Sequence, residues 1–276
     1  MLIIGCHLSI TNGIYNAALN ALSIGANTFQ FFSRNPRGGK ARDLDMAELK
    51  KLRQLMEEHE FGPIVAHGSY TMNLASNKQQ TREFAKMILK DDLERLKHIP
   101  NAYYVFHPGS HVGQGIEKGI ELIIEALNEV IDENNNITIL LEGMSGKGTE
   151  IGSNMEELRK IIDGVKYNEK LGICIDTCHL YSAGYDIVND LDGVLKEIDE
   201  IIGLERLKAV HLNDSKMDFN SSKDRHEVIG KGTIGLEALV NVINHPLLKG
   251  LPFNLETPND LEGYKKEIEI LRREYR

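Results

Sequence analysis

Along the whole of this chain, histidines and carboxylates close or follow short apolar runs. In order these are His67 ending IVAH, His107 after YVF, Glu142 ending ILLE, Asp176 ending GICID with His179 three residues on, and His211 ending KAVH. Asp224 and His226 follow in the DRH segment of the next loop, and Glu256 comes after FNL. Five imidazoles and four carboxylates form a mixed donor set that suits zinc, manganese or iron; carboxylates alone would suit magnesium or calcium. Nine donors exceed the need of a single tetrahedral ion and fit two or three ions, with a carboxylate bridging a pair. A lone histidine at a strand end is ordinarily a hydrogen-bonded core residue, and a lone buried carboxylate is ordinarily ion-paired. Nine such groups at one mouth would repel and desolvate one another unless cations compensated them.

The elements that must position these groups alternate. Apolar runs at 2–6, 28–33, 63–67, 103–107, 137–142, 171–176, 207–212 and 252–256 read as strands. Several, such as ITILLE and LGICID, are near-continuous aliphatic runs, the pattern of strands covered on both faces. Amphipathic stretches at 14–24, 45–59, 79–98, 116–134, 154–164, 190–203, 235–244 and 260–274 read as helices. Asn154 and Glu157 have the spacing of a capping box at the start of one of them. Strand–helix alternation specifies a parallel sheet, and eight repeats of it close into a (β/α)8 TIM barrel, here one domain over residues 1–276. Such barrels carry their chemistry at the C-terminal ends of the strands, where His7, His67, His107, Glu142, Asp176, His211 and Glu256 fall. An open doubly wound sheet has its site at one switch point and could not bring so many strand ends together.

Composition narrows the class. The chain is 41% hydrophobic and 26% charged, as ordinary globular proteins are. No apolar run approaches the roughly 20 residues of a membrane span, and the N-terminus lacks the basic start of a signal peptide, so the expected location is cytoplasmic. Three cysteines (Cys6, Cys174, Cys178) do not make a disulfide framework and are expected to be reduced and buried. The formal charge of −9 argues against a nonspecific nucleic-acid binder held by bulk charge, yet three bound dications would add six positive charges and bring it to −3.

Other candidates are weaker. EGMSGKGTEIG departs from the phosphate-loop pattern and reads as a mobile loop over the site, with Lys147 a candidate phosphate contact. SRNPRGGK offers Arg34, Arg37 and Lys40 on the active face, as a solvated turn or a phosphate-backbone contact. His111 and His7 are read as supporting residues, and His59, His98 and His245 as residues of helix ends.

The segments HGSYTMNLAS (67–76), FHPGSH (106–111), LLEG, CIDTCHLYSAGYD (174–186), HLNDSKMDFNSSKDRHEVIGKGTIG (211–235) and LETPN (255–259), taken together, resemble the endonuclease IV family of abasic-site DNA repair enzymes. The resemblance implies a (β/α)8 barrel with three zinc ions at its mouth, manganese or iron being candidates at some sites. It implies that His67, His107 and Glu142 hold the first ion, that Glu142 bridges to a second held also by Asp176, His211 and Glu256, and that His179, Asp224 and His226 hold the third. The implied reaction is hydrolysis of the phosphodiester 5′ to an abasic site in double-stranded DNA, leaving a 3′-hydroxyl and a 5′-deoxyribose phosphate, with trimming of blocked 3′ ends at the same site. The implied nucleophile is a metal-bound hydroxide, Glu142 acting as a bridging ligand. Arg37 and Tyr70 match residues with which the family penetrates the duplex, whereas Thr71 stands where a larger aliphatic is frequent and Gly38-Gly39 offers no planar side chain. No membrane or protein partner is implied. A sugar isomerase or epimerase on a related metal barrel is the competing reading. It needs only Glu142, Asp176, His211 and Glu256, and it leaves the other five groups without a role. A third reading is a non-catalytic lesion-binding or zinc-storage protein.

Overall fold

A computed structural model describes residues 1–276. Eight strands form one parallel sheet: β1 (Ile3–Cys6), β2 (Gln30–Phe32), β3 (Ile64–His67), β4 (Ala102–Phe106), β5 (Thr138–Glu142), β6 (Leu171–Asp176), β7 (Leu207–His211) and β8 (Pro252–Leu255). Each pairs with its sequence neighbour and β1 pairs with β8, while a parallel bridge from His7 to Gln30 joins β1 to β2 and closes the ring. The barrel expected from the alternation is therefore the one observed, and every strand lies within about two residues of its sequence-derived position.

Helices surround it: α1 (Ile14–Ser23), α2 (Met46–Glu58), α3 (Gln79–Leu96), α4 (Ile116–Val130), α5 (Met155–Gly164), α6 (Thr177–Ala183), α7 (Leu191–Ile201), α8 (Leu236–Asn244) and α9 (Leu261–Glu274). Asn154 caps α5 as its spacing requires, accepting from the Glu157 N–H at 2.9 Å, while the Glu157 carboxylate reaches back to the Asn154 side chain and the Gly152 N–H rather than to the Asn154 backbone N–H of a full capping box. A cluster of 69 buried apolar residues fills the space between barrel and helices. No helix is long and apolar enough to cross a membrane.

Inside the barrel lies a separate small cluster of Val65, Val105, Leu140, Cys174 and Ala209, contributed by β3 to β7 in turn. Strand side chains alternate faces with a period of two. The residues two places further on are His67, His107, Glu142, Asp176 and His211. The same apolar plug that seals the barrel therefore fixes which way the candidate site residues face: inward, at the C-terminal rim.

Three elements depart from the sequence reading. Residues 177–183, outside every helix read from the sequence, form α6; Asp176 caps it by accepting from the N–H groups of Cys178 and His179, and Gly184 ends it at φ 100°. The glycine-rich segment after Glu142 is pinned rather than mobile, because Glu150–Ile151 pairs antiparallel with Gly109–Ser110. Glu150 also accepts from the Lys147 N–H and the Ser145 hydroxyl. Asp224 and His226 come from a segment folded back by the antiparallel pairing of Asp214–Ser215 with His226–Glu227.

Candidate metal centre

All nine expected donors meet at the rim. His67, His107 and Glu142 bring one ligand atom each within 4.8 Å of one another, as do Glu142, Asp176, His211 and Glu256, and as do Asp176, His179 and His226. Asp224 joins the third set through 3.4 Å separations from Nε2 of both His179 and His226. Asp176 thus faces two groups at once, which the sequence reading did not foresee.

Glu142 is the hub. Fully buried, it lies 3.2 Å from His67 Nε2, 3.5 Å from His107 Nε2, 3.3 Å from His179 Nδ1 and 3.2 Å from His211 Nδ1. The imidazoles are oriented from behind. His67 donates Nδ1–H to the Gly68 carbonyl at 2.7 Å, His179 donates Nδ1–H to the Gly143 carbonyl at 3.0 Å, and His226 donates Nδ1–H to the Glu256 carbonyl at 3.2 Å. A carbonyl only accepts, so each bond commits Nδ1–H to the backbone, and in the neutral, ligating form of the ring the lone pair is on Nε2. These lone pairs face carboxylate oxygens, and Nε2 of His179 and of His226 are buried without a hydrogen-bond partner. Lone pair against carboxylate is repulsive, and a cation between them turns the contact attractive.

The titration of the site reports the same demand for positive charge. Burial alone would raise the Glu142 carboxyl, but His211, His107 and His179 hold it well below the usual range. Burial would raise Asp224 too, yet His179 and His226 hold it at about 2. Burial disfavours a charged His226, and Asp176 and Glu256 nevertheless lift it to about 9. His107 is the exception: burial, with His67 and His179 beside it, lowers it to about 4 and leaves a neutral ring ready to ligate. Without ions, protons must supply the cationic charge the carboxylates call for, and dications can replace them. The donor set therefore fits the ions the sequence pattern implies.

Further polar groups hold the donors. Asn213 donates to Asp176 Oδ2 at 2.8 Å and accepts from the Glu256 N–H at 2.8 Å. Gln30 bridges His211, Glu256 and His7. Neither was singled out from the sequence. The available signal was Gln30's polarity between Phe29 and Phe31 in an otherwise apolar strand. His7 lies 3.7 Å from Glu256, behind the donors as expected. His111 acts locally instead, its Nδ1 accepting from the Gly115 N–H at the entry to α4. The Cys178 thiol lies near Asp224 and His226, but burial and Asp176 push it up to about 11, so it is a thiol at neutral pH.

The loop candidates separate into two kinds. Arg37 and Lys147 are exposed on the rim. Tyr70 is 60% exposed with its ring 4.9 Å from Phe32 and 5.9 Å from His107, so it overhangs the mouth. Arg34, read as a candidate surface cation, is buried: its guanidinium binds Asp92 Oδ1 at 2.6 Å, Asp91 Oδ2 at 2.6 Å and the Gly39 carbonyl at 2.5 Å. It anchors the loop that presents Arg37.

Comparison with known proteins places this chain in a class. Residues 19–274 match the family described as the xylose isomerase-like TIM barrel. Over 276 residues the chain is 58% identical to the "Probable endonuclease 4" of Alkaliphilus oremlandii, covering 100% of this chain and 98% of that one. It is 59% identical to the protein of that name from Methanosphaera stadtmanae, with 100% of both covered. The crystal structure of endonuclease IV from Thermus thermophilus superposes with a TM-score of 0.87 at 35% identity, covering 98% of each chain. A D-tagatose 3-epimerase-like protein superposes at 0.73 with 21% identity, which is a likeness of fold alone. The chain belongs to the endonuclease IV family and is a phosphodiester-hydrolysing nuclease.

Proposed function

We propose that this protein hydrolyses the DNA phosphodiester on the 5′ side of an abasic site, leaving a 3′-hydroxyl and a 5′-deoxyribose phosphate, and that the same site trims blocked 3′ ends in base excision repair. The observation that carries this is the set of oriented imidazole lone pairs converging with four carboxylates on one rim. His67, His107 and Glu142 would hold one ion. Glu142, Asp176, His211 and Glu256 would hold a second, and His179, Asp224 and His226 a third, zinc being the expected metal. When bound, such ions acidify water toward neutral pH and offset charge on phosphate oxygens. The protein's own residues then hold the geometry: Glu142 spans two donor groups, Asp176 is locked by Asn213 and the start of α6, and Tyr70 covers the mouth. Residues 1–276 act as one domain in this reading, in the cytoplasm, on DNA rather than on a membrane.

A sugar epimerase would use only Glu142, Asp176, His211 and Glu256, leaving three oriented histidines, His107 and Asp224 unexplained. The two readings part in one assay. A labelled duplex carrying one tetrahydrofuran residue is expected to be nicked once, 5′ to the lesion, with a 3′-hydroxyl product. An uncut duplex with metal-loaded protein would refute the proposal.

Exposed Arg37 and Lys147 would meet the phosphate backbone, and Tyr70 the lesion. Arg37→Ala is expected to weaken binding several-fold on every sequence and reduce the salt slope of log K by about 1, with the single-turnover rate nearly unchanged. Binding titrations at several salt concentrations check this; an unchanged affinity removes the loop from the interface.

A further inference from the structure

We propose that Gln30 is a positioning residue for the ion group of Glu142, Asp176, His211 and Glu256, selecting the His211 tautomer and aligning the Glu256 carboxylate; this rests on the metal reading above. Gln30 is fully buried on β2, and its backbone is fixed by the bridge that closes the barrel at His7. Its amide makes three contacts: one 2.5 Å from Glu256 Oε1, one 3.1 Å from His7 Nδ1 and one 2.7 Å from His211 Nε2.

Valence settles their direction. An ionised carboxylate only accepts, so the NH2 end must face Glu256, and its second hydrogen goes to His7 Nδ1. The carbonyl end is then left for His211, which must donate through Nε2–H. The His211 Nδ1 lone pair consequently points at the carboxylates, 3.2 Å from Glu142 Oε1, 3.4 Å from Glu256 Oε2 and 3.9 Å from Asp176 Oδ2. His67, His179 and His226 are fixed by backbone carbonyls, which no substitution at the acceptor residue deletes. His211 is fixed by a side chain, so its tautomer is under the control of one replaceable residue. The same residue also holds the Glu256 oxygen that faces away from His211. One amide thus aligns two of the four donors of a single group and touches none of the donors of the other two.

Gln30→Met keeps the length and removes all three bonds. Wild type and variant are equilibrated with zinc against graded chelator buffers, and bound metal is counted. Outer hydrogen-bond partners of ligands are worth about 10–100-fold in metal affinity. The expected result is that one ion per chain leaves the variant at roughly 10–100-fold weaker chelation, the remainder being held as in wild type. Identical release curves overturn the role of Gln30, whereas a wild type that holds no zinc overturns the metal reading and this proposal with it. A second measurement does not depend on the variant folding. Nitrogen-15 NMR of histidine-labelled, zinc-loaded wild type, with His211 assigned by its loss in His211→Gln, is expected to show the proton on Nε2. A proton resting on Nδ1 contradicts the proposal.

Discussion

Glu142→Gln is expected to abolish cleavage of an abasic duplex while the protein still folds. The substitution preserves volume and removes the one negative charge that four imidazoles approach within 3.5 Å. An amide can accept from one neighbour but cannot carry charge shared between two ion groups. Several kcal/mol of charge stabilisation depends on that sharing, and at about 1.4 kcal/mol per factor of ten the loss in kcat/KM is roughly 10³-fold or more. Glu142 is flanked by Leu140 and Leu141, which are fully buried and unchanged, so far-UV circular dichroism should match wild type. Turnover within about tenfold of wild type would remove Glu142 from the centre of the mechanism.

Asp92→Ala is expected to cause the largest loss of stability among single substitutions away from the site. Asp92 is wholly buried on α3, and its carboxylate accepts from Arg34, from the Ser33 hydroxyl at 2.7 Å and from the Tyr104 hydroxyl at 3.0 Å. Its removal strands a guanidinium that is itself 3% exposed, leaving Asp91, half in solvent, as its only carboxylate partner beside the Gly39 carbonyl. Breaking a buried pair on one side costs about 3–5 kcal/mol, or roughly 10 °C in Tm for a chain of this size. The double replacement Arg34→Met with Asp92→Leu should recover much of that loss, because the desolvation of both charges disappears together. Thermal melts of the single and double variants check this, and a single variant within about 2 °C of wild type, by the same scale, would contradict it. Because Arg34 also holds the Gly39 carbonyl, the single variant should loosen the loop bearing Arg37 and weaken DNA binding as well.

How much of this was legible in the sequence depends on the range of the forces involved. The eight strands were readable because both faces of each are covered, which makes ITILLE or LGICID nearly continuously apolar up to the carboxylate that ends it. Seven of the nine candidate donors were readable because each stands at or near such a run's end, Asp224 and His226 being read from the loop motif instead, and the period of two then places most of the seven beside the barrel plug. The helix α6 was missed because it is seven residues long and lies inside the motif itself; its cap, Asp176, was already assigned as a donor. The two-residue pairings that pin Glu150 and His226 are too short to leave any periodicity. Arg34 looked like a surface cation because its partners lie 57 and 58 residues away on α3, and nothing local marks them. Gln30 escaped notice for a related reason: the groups it aligns are on β7 and at the end of β8, at separations of 181 and 226 residues.

Whether the converging donors hold several ions together decides how this protein works. Elemental analysis of the purified protein, after passage through metal-free buffer, measures this directly. About three transition-metal ions per chain, mainly zinc, are predicted from a donor set of this size and type. A protein that retains none, or a single ion, while still nicking the abasic duplex at full rate would contradict it.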